Sequence, residues 1–338
     1  MNQTNTRISI QAAMRAAFPE AEARVAQFYA MQEYQLGWRD EQLGPADVDP
    51  GKLLRPWLTL LACRAAGGDP RQALPLAAGI QLIHDFSLIH DDIEDNSDTR
   101  RGRPTVWRLW GLAQGINAGD GMFVVAHLAL HKLSAAGIRP EVALEVLRRF
   151  DETILTICEG QFLDLSFEGN LEISEADYLA MISRKTAALA AAAAGLGAIV
   201  GGAEAPTAQA LFDFGQNLGL AFQIQDDVLG IWGDPAVTGK PAAADLYRRK
   251  LSLPVIHTLR NAEQRGTLAQ LYSQPDISDR DAGRILEILA QAGARGYTEG
   301  VAAVYHQQAL AALAAAHGDT AALAELRTLA ERLVGRQH

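Results

Sequence analysis

The chain has 338 residues, 49% hydrophobic and 21% charged, enough to bury a substantial core in one large domain or in two. A formal net charge of −10 excludes the broad basic footprint of a nucleic-acid binder. It does not exclude anionic substrates held by local cations or by divalent metal.

The first residues, MNQTNTRISIQAAMRAAF, lack the apolar core and small-residue cleavage pattern of a signal peptide. Beyond them, apolar residues recur at i, i+3 and i+4 and predict helices over 56–66, 74–92, 141–167, 175–200 and 207–229. Gly- and Pro-bearing breaks at 67–70, 102–104, 137–140, 201–206 and 233–241 separate them without a long linker. Period-2 alternation is scarce and no Asn-Gly hairpin signal occurs. The expectation is an all-α protein, a single domain over 1–338 with its motif-bearing core at about 45–260. The uncharged run 186–203 is mostly Ala and Gly, with too few large apolar residues to favour a stable membrane span. It reads as a closely packed core helix. Cys63 and Cys158 have no metal-ligand spacing and read as reduced, buried thiols of a cytoplasmic protein.

The chemistry-bearing residues fall in a few clusters. Gly51-Lys52-Leu53-Leu54-Arg55-Pro56 sets two cations three apart at a helix start. Ile83-His84-Asp85-Phe86-Ser87-Leu88-Ile89-His90 then leads into Asp91-Asp92-Ile93-Glu94-Asp95. On a helix Asp91 and Asp95 lie one turn apart on one face. Such crowding of like charge destabilises a helix unless a cation is bound, and Mg²⁺ suits it, taking one or two carboxylates plus phosphate oxygens and water. Thr99-Arg100-Arg101-Gly102 follows. Carboxylates for metal, then paired arginines for phosphate oxygens, make a diphosphate site.

A second apolar helix echoes the first. Gly219-Leu220-Ala221-Phe222-Gln223-Ile224-Gln225-Asp226-Asp227 also ends in paired Asp, followed by Lys240, Asp245 and Lys250. Upstream, Glu159-Gly160-Gln161-Phe162-Leu163-Asp164 and Ser183-Arg184-Lys185-Thr186 are unremarkable alone. Read together, the two acidic helix ends present themselves as two walls of one metal cage. A metal phosphohydrolase built on His90-Asp91 is a rival, but it leaves the arginines and the second acidic motif without a role.

Taken together these motifs resemble the trans-isoprenyl diphosphate synthases, or polyprenyl synthetases, and Asp-Asn-Ser-Asp-Thr-Arg-Arg-Gly resembles their geranylgeranyl-type members. The resemblance implies a large helical bundle or barrel with a central apolar cavity. It implies condensation of an allylic diphosphate with isopentenyl diphosphate, giving C20 geranylgeranyl diphosphate, with C15 as the shorter alternative. Asp91, Asp92, Asp95, Asp226 and Asp227 would hold Mg²⁺, up to about three ions. Lys52, Arg55, His84 and Arg101 would bind isopentenyl diphosphate. Arg100, Lys185, Lys240 and Lys250 would bind the allylic diphosphate, and Thr186 and Gln223 would line the reaction centre. Gln161 and Asp164 match a helix near the metal site. Phe86, Ser87 and Ile83 would set product length from the helix upstream of Asp91. The resemblance also implies a homodimer.

The sequence departs from the family pattern twice. Leu53 stands where an Arg usually follows the Lys, and Gly230 where a third Asp usually closes the second motif. Two alternatives share the fold: a class I terpene cyclase, and a non-catalytic subunit of a heteromeric synthase. The first lacks its Asn/Ser/Glu metal motif at 226–234. The second predicts eroded aspartates, yet all five stand.

Overall fold

A computed structural model describes residues 3–48, 51–234, 243–260, 263 and 265–334. Among the described residues the chain is all-α, apart from one pair of two-residue strands and an isolated bridge between Arg39 and Pro45. Helices α1 (Gln3–Ala17), α2 (Ala26–Gln35), α3 (Leu54–Ala65) and α4 (Leu74–Glu94) precede the hairpin β1 (Thr99–Arg100) and β2 (Arg103–Pro104). Then come α5 (Val106–Trp110), α6 (Leu112–Leu130), α7 (Pro140–Phe167), α8 (Glu175–Ile182), a π-turn at Ser183–Ala187, α9 (Ala188–Val200) and α10 (Ala205–Trp232). Among the later described helices are Leu253–Leu259, Asp279–Gln291, Ala294–Ala315 and Thr320–Val334.

The helices expected from periodicity are present within a few residues of their expected ends. Helix α3 starts two residues before Pro56 because Leu53 takes a left-handed φ of 47° ahead of it. Lys52 consequently lies in the preceding loop and Arg55 in the first turn. Helix α4 carries Pro75 in its first turn, where a missing N–H costs nothing. Helix α8 begins in a capping box: Asp177 N donates to Ser174 Oγ and Ser174 N to Asp177 Oδ2, both at 3.0 Å, an arrangement worth about 1 kcal/mol.

The hairpin is a feature the sequence reading did not anticipate. Its two-residue loop is Arg101-Gly102, with φ of 53° and 75°. Both positive values suit the turn that matches the twist of paired strands.

The chain divides into two compact units. The first comprises the residues up to Asp151 with Ala193–Ala208 and His317–Leu323. Its centre is α4, packed on α1, α3 and α6, with Leu76, Ile80, Leu82, Ile83 and Ile89 buried. Each such side chain contributes about 1.5–3 kcal/mol relative to exposure. The second comprises Glu152–Ala192, Gln209–Ala316 and the chain from Ala324 onward. One of its cores gathers Tyr178, Met181, Ile224, Leu253 and Ile256, and another Ile231, Leu246, Val255, Leu268 and Ile285.

The stretch Glu175–Val200 is long and apolar enough to cross a membrane by length and composition, and 56% of its most apolar window is buried. Ala192, Ala193, Ala194, Leu196 and Ala198 are buried within it. A Cβ at Gly197 would lie 2.4 Å from the Thr59 carbonyl oxygen, so small residues here admit close backbone contact. The thiols differ from expectation in one respect: neither is in a disulfide, but only Cys63 is buried. Cys158 lies exposed on α7, where Leu155 and Phe162 are also exposed.

Candidate active site

In the first unit, α4 delivers its acidic end to the hairpin. Asp92 is 1% exposed, and Arg100 Nε donates to its Oδ1 at 2.8 Å. The other oxygen, Oδ2, is buried with no hydrogen-bond partner among the described residues. Burial pushes the Asp92 carboxyl up to about 6 against the pull of Arg100, and the neighbouring charges of Asp91 and Asp95 push the same way. Asp91 is half-buried and Asp95 exposed, one turn apart as expected, with Asp95 N donating to Asp91 O at 2.8 Å.

The hairpin aims the arginines. Pairing of Arg100 with Arg103 leaves Arg101 at the loop. Its guanidinium lies 3.4 Å from where a Cβ on Gly51 would be, beside Lys52. Arg103 is structural: it donates to Tyr34 O at 3.1 Å and Arg39 O at 2.7 Å and lies over the Tyr34 ring. Arg55 Nη1 is 3.3 Å from His84 Nε2. Burial, then the cations of Arg55, Arg101 and Arg100, hold His84 well below its usual pKa. The ring is therefore neutral, and with Nε2 accepting from Arg55 its proton belongs on Nδ1. The four cations and His84 thus belong to one unit of the fold, near the acidic motif.

Next to His84, the sequence reading passed over Asp85. It is 1% exposed, receives Gln81 Nε2 at 2.7 Å and is pushed by burial up to about 6. Along the same helix Ile83 is buried, while Phe86 and Ser87 are half-buried. Ser87 Oγ donates to His84 O at 2.8 Å. Phe86 packs edge-on against His90 and against Phe123 of α6, at centroid distances of 4.9 and 5.4 Å. Phe123 continues to His127 at 4.6 Å. Aromatic bulk around Phe86 therefore comes from two helices, one of which the motif pattern does not mark.

In the second unit, α10 carries an unequal pair near its C-terminal end. Asp226 is exposed and Asp227 fully buried. Both Asp227 oxygens are engaged by protein. Tyr178 Oη and Leu253 N (3.1 Å) donate to Oδ2, while Gln223 Nε2 (3.3 Å) donates to Oδ1 and Lys250 Nζ lies 3.7 Å from it. Burial raises the Asp227 carboxyl, partly offset by Lys250, Tyr178 and the Leu253 amide. Burial would lower the Lys250 ammonium, but Asp227, Asp245, Asp164 and Asp226 outweigh it and hold it above its usual range. As a metal ligand, Asp227 would have to surrender bonds it already accepts. Asp226 is the carboxyl of the pair that faces solvent.

The π-turn carries the next two expected residues. Lys185 Nζ bonds Asp164 Oδ2 of α7 at 2.5 Å, and Thr186 Oγ1 donates to Gln223 Oε1 at 3.1 Å. Gln223 thus links Thr186 to Asp227. Its amide oxygen accepts from the Thr186 hydroxyl, whose own oxygen keeps its lone pairs as an acceptor. Gln161 is half-buried on α7. Lys240 lies outside the described residues. Tyr178, 49 residues from Asp227, is the member of this network that sequence reasoning missed.

Among the described residues no three His, Cys, Asp or Glu side chains form a ready-made metal cage. The acidic end of α4 nonetheless fits a hard cation that needs few protein oxygens: Asp92 Oδ2 is a buried acceptor without a donor, and Asp91 and Asp95 share its turn. Mg²⁺ completes such a site with phosphate oxygens and water.

Comparison with known proteins agrees with this chemistry. The polyprenyl synthetase family model matches residues 46–289. The geranylgeranyl diphosphate synthase of Mycobacterium tuberculosis is 42% identical over 286 residues, spanning 84% of this chain and 80% of the relative. The (2E,6E)-farnesyl diphosphate synthase of Mycobacterium bovis is 38% identical over 309 residues, spanning 90% and 85%. The solved polyprenyl synthetase of Streptomyces coelicolor A3(2) superposes with a TM-score of 0.90 at 34% identity, covering 98% of each chain. An all-α fold carrying aspartate motifs, with clustered arginines beside the first of them, agrees with a prenyltransferase of the trans-isoprenyl diphosphate synthase class. This chain belongs to the polyprenyl synthetase family.

Proposed function

We propose that this enzyme extends an allylic diphosphate with isopentenyl diphosphate in a 1′–4 condensation, with C20 geranylgeranyl diphosphate as its main product. The geranylgeranyl diphosphate synthase at 42% identity supports that length, and the farnesyl diphosphate synthase at 38% keeps C15 as the shorter alternative. Phe86 followed by the small Ser87 favours the longer product. The observation that carries the reading is the buried Asp92, paired with Arg100 through one oxygen and leaving the other without a donor.

Mg²⁺ held by Asp91, Asp92 and Asp95, and by Asp226, would neutralise charge building on the departing diphosphate. Asp227 orders Lys250 and Gln223 rather than binding metal directly. Arg100, Lys185, Lys240 and Lys250 bind the allylic diphosphate. Lys52, Arg55, Arg101 and neutral His84 bind isopentenyl diphosphate. Thr186 directs its oxygen toward the positive charge left on the allylic carbon after ionisation. The isopentenyl double bond attacks that carbon, and the proton lost afterwards goes to the released diphosphate, so no protein base is required. Water must be kept out, because it would quench the cation. Residues 1–338 act as one domain in this reading, in the cytoplasm and as a homodimer. Leu112, Ile116, Val124 and Leu128, large apolar side chains exposed on α6, support a partner copy.

The test is incubation with isopentenyl diphosphate and each of dimethylallyl, geranyl and farnesyl diphosphate, followed by chromatography of the dephosphorylated products. C20 alcohol from all productive starters is expected. Products that stop at C15, or extend well beyond C20, would overturn the chain-length assignment.

A further inference from the structure

Helix α8 and helix α9 are joined by a π-turn in which Ala188 N–H reaches the Ser183 carbonyl. Such turns insert one residue into a helix and occur often at functional sites. A regular helix advances about 100° per residue, which would put Lys185 within about 20° of the face of Tyr178 and Thr186 about 80° away. The observed bonds are the reverse. Tyr178 and Thr186 both reach α10, at Asp227 and Gln223, whereas Lys185 turns to Asp164 of α7. The wider turn has rotated both side chains by roughly one residue's step.

Two neighbours accommodate the turn. Gln216 of α10 donates from Nε2 to Ser183 O at 3.3 Å and to Ser183 Oγ at 2.8 Å. The first carbonyl of the π-turn thereby gains a second donor besides Ala188 N–H. On the α7 side, a Cβ on Gly160 would lie 2.2 Å from Lys185 N and 2.6 Å from its Cα. Glycine is what lets α7 approach the backbone of the turn so closely.

We infer that Gln216 is a positioning residue of the reaction, acting through Ser183 and the π-turn to present Lys185 and Thr186 in the register the site uses. The inference rests on the reading of Lys185 as a ligand of the allylic diphosphate. None of the motifs read in the sequence includes Gln216, and it acts only through the helix it braces.

The experiment varies each substrate separately in steady state for the wild type, Lys185→Ala and Gln216→Glu. Gln216→Glu keeps the shape but sets a carboxylate against the Ser183 carbonyl in place of a donor. Its KM for the allylic diphosphate is expected to rise about five- to tenfold, the scale of one lost hydrogen bond, while KM for isopentenyl diphosphate stays within about twofold. Helix content by circular dichroism stays unchanged. A merely structural role would move both KM values together or lower only the melting temperature, and either result overturns the inference. So does an unchanged allylic KM. If Lys185→Ala itself leaves the allylic KM unaltered, the role of Lys185 fails. If Lys185→Ala raises it and Gln216→Glu does not, the inference about Gln216 fails alone. Should Gln216→Glu not fold, Gln216→Met, which keeps the length without the amide, takes its place in the same comparison.

Discussion

The carboxyl of Asp245 occupies the space that a side chain at Gly230 would need: a Cβ there would lie 2.1 Å from Asp245 Oδ2 and 2.5 Å from its Cγ. A carboxylate from another segment thus lies against the turn of α10 where the family pattern has a third aspartate, and we propose that it compensates for that residue. Gly230→Asp should then harm the protein although it restores the family pattern. Overpacking of this kind costs about 1–3 kcal/mol, and the added negative charge meets Asp245 directly. A lower melting temperature by calorimetry and no gain in Mg²⁺ affinity are expected. Tighter Mg²⁺ dependence at unchanged stability would contradict the compensation.

Tyr178→Phe should loosen the second motif from behind. The change removes one of two donors to Oδ2 of the fully buried Asp227 carboxyl and leaves the Leu253 amide; a hydrogen bond to a charged group contributes about 1.5–3 kcal/mol. Reduced thermal stability is expected together with a several-fold higher Mg²⁺ concentration at half-maximal velocity. Measuring both on the same preparation checks the claim. Loss of stability with an unaltered Mg²⁺ requirement would confine Tyr178 to packing.

Asp85 should make the fold more stable in mild acid than at alkaline pH. Its folded carboxyl titrates near 6, above the ordinary value of the unfolded chain, so the native state holds the proton more tightly. The stabilising contribution is full below the unfolded value and is lost as pH rises through 6. Asp85→Asn removes that loss and leaves an acceptor for Gln81. The variant should exceed the wild type at about pH 8 by at most about 3 kcal/mol, with the difference shrinking toward about pH 4. Urea titrations at the two pH values decide it. A variant destabilised equally at both would show that the carboxyl is held ionised.

Phe86→Ala should lengthen the product, and Phe123→Ala should do the same. The two rings meet edge-on at 5.4 Å, so removing either opens the same space, by roughly the volume of an aromatic side chain. Chromatography of the prenyl alcohols should reveal products beyond C20 from both variants. Lengthening with Phe86→Ala alone would leave Phe123 outside the floor, and no lengthening with either would remove the floor.

The helices were legible because their apolar spacing is long and regular: 74–92 and 175–200 were expected and Leu74–Glu94 and Glu175–Val200 are found. The motif chemistry was legible for the same local reason, since Asp91 to Asp95 and Arg100 to Gly102 each form short runs. What eluded the sequence depends on partners far along the chain. Nothing in Ser183–Ala187 announces an inserted residue; the turn is braced by Gln216 and admitted by Gly160. Tyr178 reads as an ordinary core aromatic until it meets Asp227. The hairpin escaped because Arg-Gly is an unusual pair for its two-residue loop, and the sequence signal sought was Asn-Gly. The exposure of Cys158 was missed because cysteine is usually buried, whereas α7 turns it outward with Leu155 and Phe162.

We propose that the two aspartate motifs drive ionisation of the allylic diphosphate through bound Mg²⁺. This is tested most directly by following incorporation of labelled isopentenyl diphosphate across a Mg²⁺ titration in the wild type, Asp91→Ala and Asp226→Ala. No incorporation is expected without metal, and kcat/KM should fall at least about a hundredfold in each variant, the scale of losing preorganised charge stabilisation. Metal-independent chain growth, or near-wild-type rates in both variants, would contradict it.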